Sequence, residues 1–448
     1  MSLIGEFNAD TGLDTKQDSN YTNAYPTGVD PFDMLSLDVG IDADGNEYLK
    51  AGIVGGKITM FIGHTDTGKS SAGLRVISGA SYFARKVNNW DSPMLFMDAE
   101  GLVELPRCFA LSPYHDWKDF QEGFSRIANR VDLTTERIYK YMNRLAKVKK
   151  AKKIYTIDHP NIKGGKMMIP TFAFLDASSS LSTEAVMEDV EADARDKNTV
   201  TEDKSVDMGS NTEWLTLARE TKKMVARVLP AVETANIPFC VVSHVKLTKD
   251  MKFTDKFKAK FLPGMKKDET LDNGKAFSDR AYHIYMIDAG TYDRDQEFGP
   301  MATGFFKTLF TTKSKSCGNV SIPIYYDIYN GIQSQVSNFL MMNKMGALTN
   351  SGSGRYGIDG YDGSFTKKTL IDKYWAEEDF ADAFDRASYQ AYIDFLYPGL
   401  GHDVDKVIEY FKATRPRTNT MKVQTPEAKA KADDAFKRSV AARRKKKR

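Results

Sequence analysis

KITMFIGHTDTGKS, residues 57–70, decides the fold. Its first half is a continuous apolar run, the pattern of a strand buried on both faces. Its second half, GHTDTGKS (63–70), fits G-x-x-x-x-G-K-[ST] at every fixed position and opens a helical pattern over Ser70–Ala84. In such a strand–loop–helix, Gly63 and Gly68 let the backbone curl so that its N–H groups face phosphates. Lys69 reaches the β- and γ-phosphates, and the Ser70 hydroxyl is placed for Mg²⁺. The expected nucleotide-binding residues are Gly63, His64, Thr65, Asp66, Thr67, Gly68, Lys69, Ser70 and Ser71, and the expected ligands are ATP and Mg²⁺.

Outward from this stretch, apolar runs recur at 94–100, 171–177, 239–245, 283–290, 304–313 and 322–330. Helical patterns lie between the early ones, over Glu136–Val148 and Trp214–Thr234, the latter ending ahead of Pro238. Strand–helix repetition predicts an α/β fold. Its central sheet is mostly parallel and flanked by helices, with antiparallel strands at the C-terminal edge. Residues 1–50 read as an extended N-terminal arm and lead-in, 51–345 as the core, and 346–415 as a small C-terminal helical domain after a Gly/Ser-rich boundary. Residues 416–448 read as a disordered basic tail.

Two further segments carry acids. TFAFLDA (171–177) ends an apolar strand in Asp176, the usual place for a carboxylate that holds Mg²⁺ through water. MLFMDAE (94–100) offers Asp98 and Glu100. Glu100, past the end of the apolar run, is the better candidate for orienting and deprotonating a water in line with the γ-phosphate. Asp98 is left to cap the adjacent loop or support the metal.

Charge is informative only by region. Lys plus Arg is 63 against 60 acids, net +3, yet residues 416–448 alone carry +9. Residues 246–280 hold ten Lys or Arg and six acids, with Phe253, Phe257, Phe261 and Phe277 interleaved. Cations for phosphates and rings for stacking suit a single-stranded DNA groove. The expected contacts are Lys249, Lys252, Phe253, Lys256, Lys258, Lys260, Lys275 and Arg280. By contrast, 184–213 has ten acids and three basic residues, a poor phosphate surface. It reads either as an insertion held away from DNA or as an acidic cover displaced by it. Around Met208, Gly209 and Ser210 it is least acidic.

Three cysteines in no metal-type spacing point to a reducing compartment. The start, MSLIGEFNAD, lacks a signal-peptide pattern, and no apolar stretch approaches membrane-spanning length.

GHTDTGKS, MDAE, FLDASSSL and VVSHVK, in that order and spacing, resemble the RecA family of recombinases, and most of all its phage UvsX-type members. YPTGVDPFD (25–33) resembles the family's lead-in. The resemblance implies a RecA-like P-loop ATPase core, with Glu100 as catalytic glutamate and Asp176 as the metal carboxylate. His244 would sense the γ-phosphate and begin the second DNA loop. Lys313 and Lys315 would reach a neighbouring subunit's ATP. It also implies DNA-dependent ATPase activity and strand exchange in helical filaments of the chain, for recombination, repair and recombination-dependent replication. The implied partners are single- and double-stranded DNA, with single-strand-binding and mediator proteins as further candidates, and the implied location is the cytoplasm of an infected bacterial host. Phe7 is a candidate apolar plug for polymerisation. The rival is a RecA-core hexameric helicase or translocase, which shares the glycine loop and Asp176. The basic tail departs from the family's acidic ones. Its composition leaves open added duplex affinity, an acidic partner, solubility or a transport signal.

Overall fold

The apolar runs become strands of one eleven-stranded sheet in the computed structural model. It describes residues 23–42, 44–128, 133–160, 164–184, 211–247, 262–266, 269–272, 275–299, 304–350 and 352–419. In chain order the strands are β1 (Ile58–Gly63), β2 (Met94–Asp98), β3 (Phe124–Ile127), β4 (Phe172–Asp176), β5 (Phe239–Leu247), β6 (Glu269–Leu271), β7 (His283–Ile287), β8 (Thr291–Tyr292), β9 (Gly304–Lys313), β10 (Ser321–Asp327) and β11 (Gly331–Ile332). Their lateral order is β11-β10-β9-β7-β1-β5-β4-β2-β3, with β6 on β5 and β8 on β9. From β3 to β7 every neighbour is parallel, while β9, β10 and β11 add antiparallel. The expected α/β class and the switch to antiparallel strands at one edge are therefore present.

The helices are α1 (Asp30–Leu35), α2 (Lys69–Lys86), α3 (Leu105–Leu111), α4 (Trp117–Glu122), α5 (Thr135–Ala151), α6 (Asn211–Thr234), α7 (Lys275–Arg280), α8 (Ser334–Met345), α9 (Leu370–Ala376), α10 (Glu378–Leu396) and α11 (Val404–Thr414). They explain why the central strands are apolar without alternation. Phe61, Phe172, Phe174, Cys240 and Val242 face a core shared with α1, α2 and the C-terminal helices. Met60, Ile62, Ala173, Leu175 and Val241 face a second core under α5 and α6. With both faces covered, neither set of alternating positions is left for polar residues.

The expectation of an extended arm does not hold for 23–42 and 44–50. Every residue of α1 is buried, and Phe32, Met34 and Leu35 join the same core as Phe61. Burying such side chains contributes roughly 1.5–3 kcal/mol each, which a mobile arm would forgo. The chain's other end closes over this segment. Arg415, just past α11, lies 2.7 Å from Asp30 and 2.9 Å from Asp33. Within 346–415, Ile358, Phe365, Leu370, Tyr374, Phe380 and Phe384 build a third core, which Phe298, Tyr325, Val336, Phe339 and Met342 of the preceding segments complete. Tyr389, Tyr392, Leu396 and Phe411 belong instead to the main core, and Thr349–Asn350, Arg355–Ile358 and Tyr361–Thr366 form a small three-stranded sheet ahead of the helices. Among the described residues, no helix is long and apolar enough to cross a membrane.

Candidate functional site

The parallel strands deliver their C-terminal ends to one edge, and the loop after β1 lies there. Gly63 packs where a Cβ would fall 2.6 Å from the Ile287 carbonyl oxygen and 2.7 Å from Thr67 Oγ1. Gly68, at φ +85°, precedes α2, and a Cβ on it would stand 3.0 Å from the Tyr326 ring. Both positions therefore require glycine for close packing, and Gly68 also for its left-handed backbone. Lys69 is buried, and its ammonium donates to the His64 carbonyl at 3.2 Å across the loop. Burial holds its pKa below the ordinary value, opposed by Asp176, Glu100 and Asp66. Thr65 and Asp66 are exposed at the loop's tip.

Asp176 ends β4 two strands away, since β5 lies between β1 and β4. The Ser70 hydroxyl nevertheless donates to Asp176 Oδ1 at 2.9 Å. Burial, with Glu100 beside it, pushes the Asp176 carboxyl up to about 7. A hydroxyl and a carboxylate at this spacing are oxygen donors suited to Mg²⁺, which takes one or two protein ligands when phosphates supply others. Glu100 follows β2. Its N–H donates to the Asp176 carbonyl at 3.2 Å, and its Oε1 lies 2.7 Å from His244 Nε2. His244 pairs in register with Gly63. Lys69, Ser70, Asp176, Glu100 and His244 thus share one sheet edge, although they span 176 residues of chain.

Asp98 takes the other role left open for it. Its carboxylate accepts from the Gly101 and Val103 N–H groups at 2.8 and 3.2 Å and pairs with Arg126 of β3 at 2.7 Å. It organises the loop that carries Glu100.

Past His244, β5 continues into a hairpin. Val245, Lys246 and Leu247 pair antiparallel with Leu271, Thr270 and Glu269 of β6, so both ends of the basic stretch are anchored at the edge that holds the glycine loop. Glu269 is fully buried. Its Oε1 lies 2.8 Å from His64 Nε2, and its Oε2 accepts from the Lys266 N–H at 2.8 Å. Charge pattern alone presents Glu269 as one solvated acid among lysines. Its burial against His64 is a tertiary fact.

Other expected residues fall elsewhere. Lys275 and Arg280 are exposed at the two ends of α7, and Phe277 between them is buried in the core under α6. That ring is a packing residue rather than a stacking face. Lys313 pairs across from Ile284 at the start of β7, the far end of the parallel strands from Gly63. Its ammonium donates to the Ser278 carbonyl at 3.1 Å, and Lys315 is exposed nearby. Neither meets the cluster within one chain. Lys249, Lys252, Phe253, Lys256, Phe257, Lys258, Lys260 and Phe261 lie outside the described residues, as do Phe7, Met208 and the tail beyond Asn419.

No protein-family model matches the chain, and no curated protein matches it significantly in sequence.

Proposed function

We propose that the chain is an ATP-dependent DNA strand-exchange recombinase with a RecA-like core, acting as a filament on single-stranded DNA. One observation carries the reading. The hairpin that bears the basic, aromatic segment is built on the same strand edge as Lys69, Ser70–Asp176 and Glu100–His244, and it starts at His244 itself. In this reading the Gly63–Ser70 loop cradles the phosphates of ATP. Ser70 and Asp176 hold Mg²⁺, which neutralises charge on the phosphates. Glu100, held by His244, orients the attacking water and takes its proton. A γ-phosphate arriving beside His244 shifts its pairing with Glu100, and the shift passes along β5 into the hairpin. Lys313 is too far along the sheet to serve its own nucleotide, so its action on ATP requires a neighbouring copy.

Electron microscopy of the protein with ATP and single-stranded DNA, alongside ATPase assays with and without that DNA, tests this reading. Helical filaments and DNA-stimulated hydrolysis are expected. Closed rings with directional unwinding would replace it with a hexameric helicase, and a rate indifferent to DNA would overturn the coupling.

A further inference from the structure

Residues 137–153 contain eight Lys or Arg and no acid, a denser positive charge than the 246–280 segment. Most of them lie on α5, which packs its apolar side (Ile138, Met142, Ala146) into the core beneath the sheet. The first turn is neutralised, because Glu184 lies 2.9 Å from Lys140 and 3.7 Å from Arg137. Lys149 is buried and turned inward, donating to the Ile169 and Ala235 carbonyls at 2.6 Å each. The other five, Arg144, Lys147, Lys150, Lys152 and Lys153, are exposed, and no carboxylate among the described residues pairs with them.

We infer that this face of α5 is a docking surface for the phosphate backbone of duplex DNA, separate from the hairpin. The inference rests on the reading of the chain as a DNA-binding ATPase. Arg144, Lys147 and Lys150 recur at helical spacing, and like charges so placed repel by roughly 0.2–0.5 kcal/mol per pair. Cations at a helix C-terminus offset its dipole only within the last turn, which leaves Arg144 and Lys147 outside its reach. Among the described residues the remaining charge is an uncompensated row, roughly 9 Å long from Arg144 to Lys150 at about 1.5 Å per residue, with Lys152 and Lys153 following it. A polyanion of matching length relieves it. The kind of polyanion follows from what the row lacks. Its exposed apolar neighbours are Val148 and Ile154, which are aliphatic, while Tyr139 and Tyr141 pack against the core. Single strands are held by stacking on exposed rings, whereas a duplex with paired bases offers phosphates alone.

The test compares the full-length protein with a variant combining Arg144→Gln, Lys147→Gln, Lys150→Gln, Lys152→Gln and Lys153→Gln. Glutamine keeps helix propensity, so the fold is retained. Binding of a short mixed-sequence duplex is measured against salt. The slope of log affinity on log salt is expected to become shallower by roughly 0.9 for each phosphate no longer neutralised, up to about 4.5 for the five cations. A second readout uses the unaltered protein: the four lysines should be protected from acylation by duplex DNA. An unchanged slope with unprotected lysines overturns the inference. So does protection by poly-glutamate but not by duplex, which would mark an acidic protein as the partner. In either case, persistent stimulation of the ATPase by single-stranded DNA leaves the recombinase reading standing. Failure to bind DNA of any form defeats both.

Discussion

His64 Nε2 lies 2.8 Å from Glu269 Oε1, joining the glycine loop after β1 to the first residue of the hairpin's return strand. The two residues are 205 positions apart in the chain. The pairing gives the loop that would hold phosphates a direct hold on the base of the basic segment, besides the route through His244. Because the Glu269 carboxylate is buried, any displacement of His64 leaves it short of a partner, a costly state that the hairpin must relieve by moving.

Glu269→Gln keeps the shape of this link and Glu269→Ala removes it. Couplings between sites of about 1–3 kcal/mol correspond to roughly 5–150-fold effects. Glu269→Ala is therefore expected to lower the stimulation of ATP hydrolysis by single-stranded DNA at least about fivefold, with Glu269→Gln intermediate. Equal stimulation in all three proteins would show that the pairing transmits nothing.

Glu100→Gln is expected to slow ATP turnover by roughly 10²–10⁴-fold, the usual contribution of a positioned base. ATP-dependent binding to single-stranded DNA should survive it. Lys69→Ala should abolish both hydrolysis and nucleotide binding, measured with a fluorescent ATP analogue. A Glu100→Gln protein that hydrolyses ATP normally would remove Glu100 from the chemistry.

His283 is a buried neutral histidine between the rings of Tyr282 and Tyr285, and neither of its ring nitrogens has a hydrogen-bond partner among the described residues. Burial pushes its pKa down to about 3. The ordinary value is about 6.5. Between these values the unfolded chain holds a proton that the folded chain does not. The stability His283 allows is thus complete above about pH 6.5 and declines as pH falls towards 3. His283→Phe should raise the melting temperature at pH 5 more than at pH 8. An equal shift at both pH values would contradict this account.

Arg415 is buried against Asp30 and Asp33, and Asp33 also accepts from the Thr27 N–H and hydroxyl at 2.8 Å. Removing one partner of such a cluster leaves buried charge uncompensated. Arg415→Ala should therefore cost about 3–5 kcal/mol in denaturant unfolding. A loss below about 1 kcal/mol, the range of exposed ion pairs, would mean that water reaches these carboxylates.

The strands around the candidate site were legible because each is a local signal. KITMFIG, TFAFLDA and FCVVSHV announce themselves by unbroken apolar content, and they form β1, β4 and β5. Phe124–Ile127 was not legible, since Ser125 and Arg126 interrupt it. Arg126 is there to meet Asp98, a partner on another strand. The segment 25–35 looked polar because Asp30 and Asp33 carry charge, yet Arg415 neutralises both and lets α1 enter the core. The short β6, which places Glu269, was hidden in a run of mixed charge.

Local chain order alone dictates the strand, glycine loop and helix of 57–86, because the glycine-loop motif and the apolar periodicity are read from neighbours in sequence. The α/β class follows from the repetition of that unit. Which side chains meet was decided by the lateral order β1-β5-β4-β2, which does not follow the chain. That order sets Ser70 on Asp176, Glu100 on His244 and His64 on Glu269. Each pair joins residues more than 100 positions apart, and hydrogen bonds over such separations exist only once the sheet has closed around them.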